Sequence, residues 1–261
     1  FGSEGPYGSR PGFDQVAQGM SGLMSITGAA DGEGFRVGLP IGDLVGGMWG
    51  AIGIEGALLE RERTGRGRRV ETSLLSGLVG LLCVQGQRTL SLGEVPERVG
   101  NHHPVIAAYG TFSAADAPIN VAAATEGMWR ALTRVLDAPA LAEDPRFVDN
   151  AARMENRGAL QAELDRRFRA RPAAAWTEEL IAAGIPAGPI NTLDRVFADP
   201  HVVENRYVET VEHPTLGALP QLASPVVLDG VRGASVRTPP PALGADTAAV
   251  LEGLGYDTER I

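Results

Sequence analysis

The sequence predicts an α/β protein with a body of helices and short extended runs, a smaller α+β insert, and a C-terminal return to the body. Three observations lead to this prediction. Residues 13–91 contain long apolar runs with helical periodicity, whereas residues 109–124 alternate in hydrophobicity as a hairpin does. Between them, residues 96–104 are polar and loop-like, as in a linker. The predicted domain segments are 1–95, 96–195 and 196–261.

The first segment begins with a glycine-rich loop over residues 1–12 and continues mainly as helix. A helix is predicted from Phe13 to Ile26, where apolar residues recur at i, i+3 and i+4. The longest predicted helix runs from Asp43 to Arg63, and its repeated glycines indicate close packing against another backbone or a ligand. The other elements of this segment are a turn at Asp31–Gly34, an extended stretch at Phe35–Ile41, a strand at Val70–Ser73 and a helix at Leu74–Ser91.

The second and third segments alternate extended and helical stretches. Tyr109–Phe112 and Ile119–Ala124 form the predicted hairpin around a turn at Ala115–Pro118. A stiff, proline-containing connection is predicted at Gly184–Ile190. Short extended runs are expected between His213 and Val236. The predicted helices of these segments are Glu126–Leu136, Arg153–Ala170, Ala173–Ala183 and Asp246–Gly253.

Composition and charge exclude several classes of function. With 261 residues, a net charge of -9 and a pI of about 5.0, the chain lacks the basic surface that nucleic acids or anionic membranes require. No stretch approaches the ~20 uncharged apolar residues of a transmembrane helix. The one cysteine, Cys83, lies in an apolar run, and we expect it to be buried. A single thiol of this kind indicates a reducing compartment, and the cytoplasm is the expected location.

The histidines predict no metal site. His102 and His103 are adjacent, so their side chains point apart in an extended loop, and His201 and His213 are isolated. The sequence also lacks Gly-x-Ser-x-Gly, a Walker loop, and Gly-x-Gly-x-x-Gly after a strand. These absences argue against elbow-type hydrolases, P-loop enzymes and common dinucleotide-binding proteins. Carboxylates are therefore the best candidates for chemistry.

Asp43 is the carboxylate with the most unusual setting. It follows a Pro-Ile-Gly stretch at the predicted start of the long helix, where free N–H groups and the helix dipole hold a carboxylate ionised. Its neighbours Gly42, Gly46 and Gly47 have no side chains to cover it. A bulky reactant could therefore approach a nucleophilic aspartate. On these local observations alone, an ordinary helix N-cap is the simpler explanation.

Several blocks follow one another in the order of a known family pattern. Phe1–Tyr7, Arg10–Asp14 and Ser21–Met24 resemble a block that leads into a catalytic region, and Gly42-Asp43 with Gly46-Gly47 resembles the segment that bears a catalytic aspartate. Further matching blocks are Thr64–Val70, Ser73–Leu75, Asp144–Phe147, Asn156–Arg157, Trp176 and Gly184–Thr192. Together they resemble the class III coenzyme A transferases, the CaiB/BaiF family. The resemblance implies a Rossmann-like large domain plus a smaller α+β domain. It also implies an N-terminally truncated fragment, because family members are longer.

The resemblance implies an enzyme that moves CoA between carboxylic acids. Asp43 would attack an acyl-CoA thioester to give a mixed anhydride and CoA thiolate. The thiolate would then form an aspartyl-CoA thioester and release the first acid, and the incoming carboxylate would reverse these steps. CoA and acyl-CoA are then substrates rather than permanent cofactors, with Arg10 as a CoA contact. The family further implies a homodimer with interlocked chains.

Supporting residues and alternatives follow from the same resemblance. Gly100 and Asn101 match a loop that closes over the site in some members, and are candidates to bind the oxyanion. Phe13, Asp14 and Gly42 are the other supporting residues. The family's α-methylacyl-CoA racemases carry a histidine thirty residues before the aspartate, where this chain has Phe13. Because phenylalanine cannot transfer a proton and a helical Asp14 points elsewhere, the transferase is favoured over the racemase. A non-catalytic CoA-binding module is the third hypothesis.

Overall fold

The computed structural model describes residues 1–228 and 238–257 together with the backbone of 231–232. The chain divides into two compact units, residues 1–189 and residues 190–261. The first unit contains both the predicted helical body and the predicted α+β insert. The sequence-based division at residues 95 and 96 stays a prediction.

The first part of this unit is helical. Its elements are α1 (Asp14–Met20), a 3₁₀ turn (Leu23–Ile26), α2 (Ile41–Thr64), α3 (Leu74–Leu81) and α4 (Cys83–Leu92). The predicted helix over residues 13–26 is broken at Gly22, which takes a left-handed φ of 86°. The predicted helix over residues 74–91 is broken before Cys83, which has a φ of 33°. The long glycine-containing helix is confirmed, although α2 begins two residues earlier than predicted.

Two predictions in this region are wrong. Val70–Ser73 is not a strand, since no strand within the described ranges lies beside it to take its backbone hydrogen bonds. Cys83 is exposed rather than buried. The apolar run around it does not continue as one helix, and the break between α3 and α4 brings the thiol to the surface.

The α+β part is built on a three-stranded antiparallel sheet. The predicted hairpin is confirmed as β1 (Tyr109–Ser113) and β2 (Pro118–Ala122), with Tyr109 opposite Ala122. The third strand, β3 (Ala187–Pro189), pairs with the other edge of β2 and places Pro189 opposite Ile119. The sequence predicts this last segment only as a stiff connection, because three residues are too few to show an alternating pattern.

Helices surround this sheet and form the main core with it. They are α5 (Glu126–Val135), α6 (Asn150–Glu155), α7 (Arg157–Phe168) and α8 (Ala173–Ala182), with a 3₁₀ turn at Pro139–Ala142. The predicted helix over residues 153–170 is two helices, because Asn156 leaves the helical region with φ -103° and ψ 25°. Phe168 stacks on Phe112 at 5.3 Å between ring centroids and meets Trp176 edge-on at 5.6 Å. These rings lie at the centre of a buried cluster that extends from Ala107 to Ile185.

The second unit consists of short helices and short strands. It contains α9 (Leu193–Ala198), α10 (Pro200–Glu204), a hairpin of β4 (Val208–His213) and β5 (Gly217–Leu222), a two-stranded pair of β6 (Val227–Leu228) and β7 (Val231–Arg232), and α11 (Thr247–Gly253). The predicted last helix is confirmed. The predicted extended runs begin earlier than expected, and their end near Val236 lies outside the described residues. In the described part of the whole chain, no helix is long and apolar enough to span a membrane.

Candidate active site

Asp43 lies in the first turn of α2 but does not cap it. The N-cap position belongs to Pro40, and Asp43 is the third residue of the helix. Its side chain is exposed, and among the described residues no hydrogen bond or ion pair engages the carboxylate. The N-cap explanation is therefore wrong. The carboxylate stands at the positive end of a long helix and is open to a reactant.

Asp14 supplies the helix cap that the local sequence assigns to Asp43. Its Oδ1 accepts a hydrogen bond from the N–H of Gly42 at 2.8 Å, which joins the start of α1 to the start of α2. Gly42 is buried, and a Cβ there would lie 3.1 Å from Asp14 Oδ1 and 3.2 Å from Leu78 Cδ1. The missing side chain is therefore what permits this close approach. Asp14, Gly42 and Asp43 are brought together at one point.

Gln18 completes this arrangement and is absent from the sequence-based site. The side chain is fully buried, and its Nε2 donates to Asp14 Oδ2 at 2.7 Å. Its Oε1 accepts the N–H of Val37 at 2.8 Å, and Nε2 also lies 3.5 Å from the Leu39 carbonyl oxygen. We call Asp14, Gln18 and the N–H of Gly42 the α2 clamp. The spacing of Asp14 and Gln18 by four residues was the available sequence signal, because such residues share one face of a helix.

The other predicted site residues lie at different distances from this clamp along the chain. Phe13 directly precedes Asp14 in extended backbone, and its side chain is 79% exposed. The guanidinium of Arg10 lies over the ring of Tyr7, 4.0 Å from its centroid. Of these residues, Phe13 is the one that the fold holds beside the clamp.

Gly100 and Asn101 belong to a loop tied to another part of the unit. The N–H of Gly100 donates to the carbonyl oxygen of Gly28 at 3.1 Å, so it is already used. The guanidinium of Arg98 adds hydrogen bonds to the carbonyl oxygens of Ser25, Ala29 and Gly32. These contacts fix the loop to residues 25–32. In this structure the Gly100 N–H does not act as a free oxyanion donor.

His102, the next residue of that loop, faces the core of the α+β part. Its ring meets Phe112 edge-on at 6.0 Å, and its Nδ1 is buried without a hydrogen-bond partner within the described part of the chain. Burial lowers the pKa of His102, and the positive charge of Arg157 lowers it further. Both effects favour the neutral form of this partly buried ring.

A cavity of about 560 Å³ lies elsewhere in the helical part. Its lining is mostly apolar and comes from the 3₁₀ turn, the end of α3, much of α4 and the residues that follow α4, with Ile26, Val79, Leu82, Cys83 and Val95 among its residues. Asp14 and Asp43 do not line it. Within the described ranges, no group of three or more His, Cys, Asp or Glu side chains could hold a metal ion.

Known proteins resemble this chain along its whole length. The model of CoA-transferase family III matches residues 1–247. A protein named acetyl-CoA:oxalate CoA-transferase from Acetobacter aceti is 40% identical over 191 residues, which is 73% of this chain and 49% of that protein. The human succinyl-CoA:glutarate CoA-transferase is 34% identical over 262 residues, covering 100% of this chain and 60% of the human protein. The chain thus spans about half to two thirds of these relatives.

Solved structures show the same relationship. A CaiB/BaiF family protein from Brucella suis has a TM-score of 0.80 and 36% identity, over 97% of this chain and 66% of that one. The protein Rv3272 from Mycobacterium tuberculosis has a TM-score of 0.82 and 27% identity, over 95% of this chain and 65% of that one. These structures confirm the predicted fold class. With the family model matched from residue 1 to residue 247, the chain belongs to CoA-transferase family III.

Proposed function

We propose that the whole protein is an acyl-CoA:carboxylate CoA-transferase in which Asp43 is the nucleophile. The observation that carries the proposal is the exposed, unengaged carboxylate of Asp43 in the first turn of α2. Its chain belongs to a family in which the curated relatives are named as CoA-transferases. A nucleophilic carboxylate needs to be accessible, and the exposed side chain of Asp43 meets that condition at this helix start.

The chemistry divides one exchange into balanced steps. A carboxylate oxygen of Asp43 attacks the thioester carbon, the C–S bond breaks, and CoA leaves as the thiolate, which gives a mixed anhydride. The thiolate sulfur then attacks the Asp43 carboxyl carbon, the anhydride C–O bond breaks, and the first acid leaves as a carboxylate. The acceptor carboxylate attacks the resulting aspartyl-CoA thioester, and the same two steps run in reverse. CoA and its thioesters are substrates in this scheme.

One side of α2 next to Asp43 has room for a large substrate. A Cβ at Gly47, one turn along α2, would meet no atom within 4 Å, so this side of the helix is open. Gly42 and Gly46 are buried against α3 and lie about 100° around the helix axis from Asp43 and Gly47. We infer that the thioester approaches Asp43 across the side of α2 that carries Gly47.

The acid substrates are proposed from the relatives. Their names pair acetyl-CoA or succinyl-CoA with oxalate, glutarate, mesaconate or D-citramalate. We therefore propose a short dicarboxylic acid as the acceptor and an acyl-CoA of similar size as the donor. A homodimer and a cytoplasmic location belong to the same proposal, the latter from the single cysteine.

The racemase alternative requires a second group that takes or gives a proton. Phe13 cannot do so, and the Asp14 carboxylate already accepts hydrogen bonds from the Gly42 N–H and from Gln18. These contacts favour a structural role for Asp14 and so favour acyl exchange. A CoA-binding module without catalysis would retain binding and show no exchange.

The test is Asp43→Asn in the protein at its natural length. Radiolabelled oxalate or glutarate is mixed with acetyl-CoA or succinyl-CoA, and label in the CoA-thioester fraction is followed. We expect a loss on the order of 10⁴-fold or more, as for removal of other covalent nucleophiles. Glu55→Gln is the control, since Glu55 is an exposed carboxylate farther along the same helix, and it should retain full activity.

A trapping experiment separates the alternatives. Hydroxylamine should form a hydroxamate at Asp43 when acyl-CoA is present, because both proposed covalent intermediates are activated acyl groups. Full exchange activity in Asp43→Asn would refute the nucleophile assignment. Deuterium uptake at the α-carbon of a 2-methylacyl-CoA, without label exchange, would favour the racemase.

A further inference from the structure

We propose that Gln18 is a positioning residue for the reaction: through Asp14 it fixes the first turn of α2, and with it the direction of the Asp43 carboxylate. The inference rests on the proposed function of Asp43. Gln18 makes no contact with a substrate in this scheme and acts only through the α2 clamp. The Gln18 amide therefore affects kcat by positioning Asp43, and it takes no part in making or breaking bonds.

The first step is the burial of Gln18. Its side chain is fully inaccessible, although glutamine is usually exposed, and the cost of burying an amide requires that its polar atoms be satisfied. The amide meets this requirement with a donor to Asp14 and an acceptor for Val37. The bonding pattern fixes which end of the amide faces Asp14, since only NH₂ can donate to a carboxylate.

The α2 clamp is connected to Asp43, the proposed nucleophile, through the backbone. Val37 and Leu39 belong to the stretch that leads into α2, and Gly42 directly precedes Asp43. Gln18 thus holds the incoming chain, while Asp14 holds the first turn itself. The Asp43 side chain has no hydrogen bond in the described structure, so its position depends on the backbone that carries it. A misplacement of about 1 Å at a reacting group can cost about 100-fold in rate.

The carboxylate of Asp14 and the amide of Gln18 can be exchanged between the two positions. Gln18→Glu alone places two carboxylates face to face, while Asp14→Asn alone leaves Gln18 unable to satisfy both Asn at position 14 and the Val37 N–H. When both substitutions are combined, the new amide at position 14 accepts from Gly42 and donates to the new carboxylate at position 18. That carboxylate also accepts from Val37. The double variant therefore restores the bonds that join positions 14, 18, 37 and 42 and keeps the net charge, and it loses only the 3.5 Å contact to the Leu39 carbonyl oxygen.

The experiment measures kcat and KM of the three variants in the protein at its natural length. Each single variant should lower kcat by about 10- to 100-fold with KM changed less than about threefold, and the double variant should recover to within about threefold of the unaltered kcat. The matched control is Gln161→Glu in α7. Gln161 lies four residues from Asp165, with Nε2 3.4 Å from its Oδ2, and is remote from α2 in sequence. That substitution should leave kcat unchanged.

Several outcomes decide the inference. Losses that multiply in the double variant, or single variants with unaltered kcat, would overturn it. If a single variant does not fold, the double variant still decides, because a folded double variant with low kcat contradicts the restored clamp. Asp43→Asn is measured alongside. If it keeps activity the nucleophile assignment fails, whereas its inactivity with an additive double variant defeats only the role of Gln18.

Discussion

Two parts of the first unit bury their apolar residues to very different extents. In residues 107–187 the buried side chains form one continuous cluster. In residues 13–92 the buried apolar side chains are Ala17, Val45 and Leu78, while α2 exposes several large apolar side chains. Met48, Ile52 and Leu59 are 60%, 56% and 68% exposed. Within this chain, packing thus holds the α+β part, whereas in the helical part a buried polar clamp joins the starts of α1 and α2.

The difference suggests a division of labour. Packing is spread over many residues, so damage to the α+β part should appear as lost stability. The clamp acts at a single point beside the proposed nucleophile, so damage there should appear mainly as lost activity. Two matched pairs of substitutions separate these two effects. One pair changes leucine to alanine in each part, and the other changes glycine to alanine at two positions of α2.

The largest effect on stability is expected from truncation of a leucine in the packed part. Leu164 in α7 is fully buried, and Leu164→Ala should lower the free energy of unfolding by about 2–5 kcal/mol through lost contacts and a residual cavity. The same change at Leu59 in α2 should alter it by less than about 0.5 kcal/mol, because that side chain is mostly exposed. Denaturant unfolding of both variants checks the prediction. Equal costs would show that the two parts are packed alike.

At Gly42, in the α2 clamp, we expect a larger effect on activity than on stability. Gly42→Ala crowds Asp14 Oδ1 and Leu78 Cδ1, so we expect activity to fall about tenfold while the free energy of unfolding changes by less than about 1 kcal/mol. A Cβ at Gly56 in the same helix would meet nothing within 4 Å, and Gly56→Ala should leave activity unchanged. Rate and unfolding measurements on the pair test this. Loss of stability without loss of rate at Gly42 would contradict it.

The smallest expected effect is on the pH dependence of the unfolding free energy, through His102. Burial lowers the pKa of His102, so below about pH 6.5 the unfolded chain binds more protons than the folded one. The contribution of the neutral ring is complete above about pH 6.5 and is lost as the pH falls toward the lowered pKa. His102→Leu should therefore flatten the dependence of unfolding free energy on pH between about pH 5.5 and pH 7, by less than about 1.4 kcal/mol per pH unit.

Unfolding of both proteins at several pH values measures that difference. The other three histidines are present in both proteins, so the comparison isolates His102. An unchanged slope would mean that the His102 ring is as free to take up a proton in the folded chain as in the unfolded one.

Much of the fold followed from local patterns. The β1–β2 hairpin and α5 lie within one or two residues of their predictions, because alternation and a capping threonine mark them locally. The breaks at Gly22 and before Cys83 were missed, since apolar periodicity continues across both and only the backbone angles reveal them. The strand predicted at Val70–Ser73 failed because a strand depends on a partner that local sequence cannot supply.

The candidate site shows the same limit more sharply. Asp43 was singled out correctly as the first-turn carboxylate of a long helix, but its capping role belongs to Asp14. That contact joins two helices across the intervening loop, so no short window of sequence contains it. Gln18 was missed for a different reason: its spacing from Asp14 lies within one short window, but a glutamine on a helix is ordinarily a solvated residue. Family resemblance led to the proposal of Asp43 as the nucleophile, and the structure adds Asp14 and Gln18, which hold the turn that carries it.

The strand order of the sheet has a consequence for synthesis on the ribosome. The chain emerges from its N-terminus, so β1 and β2 are complete well before β3, which follows α5 to α8. Until Pro189 has emerged, the outer edge of β2 has no neighbour, and a two-stranded hairpin alone is only marginally stable. The intervening helices therefore emerge beside an unfinished sheet. The sheet of this unit closes only when its last three residues arrive.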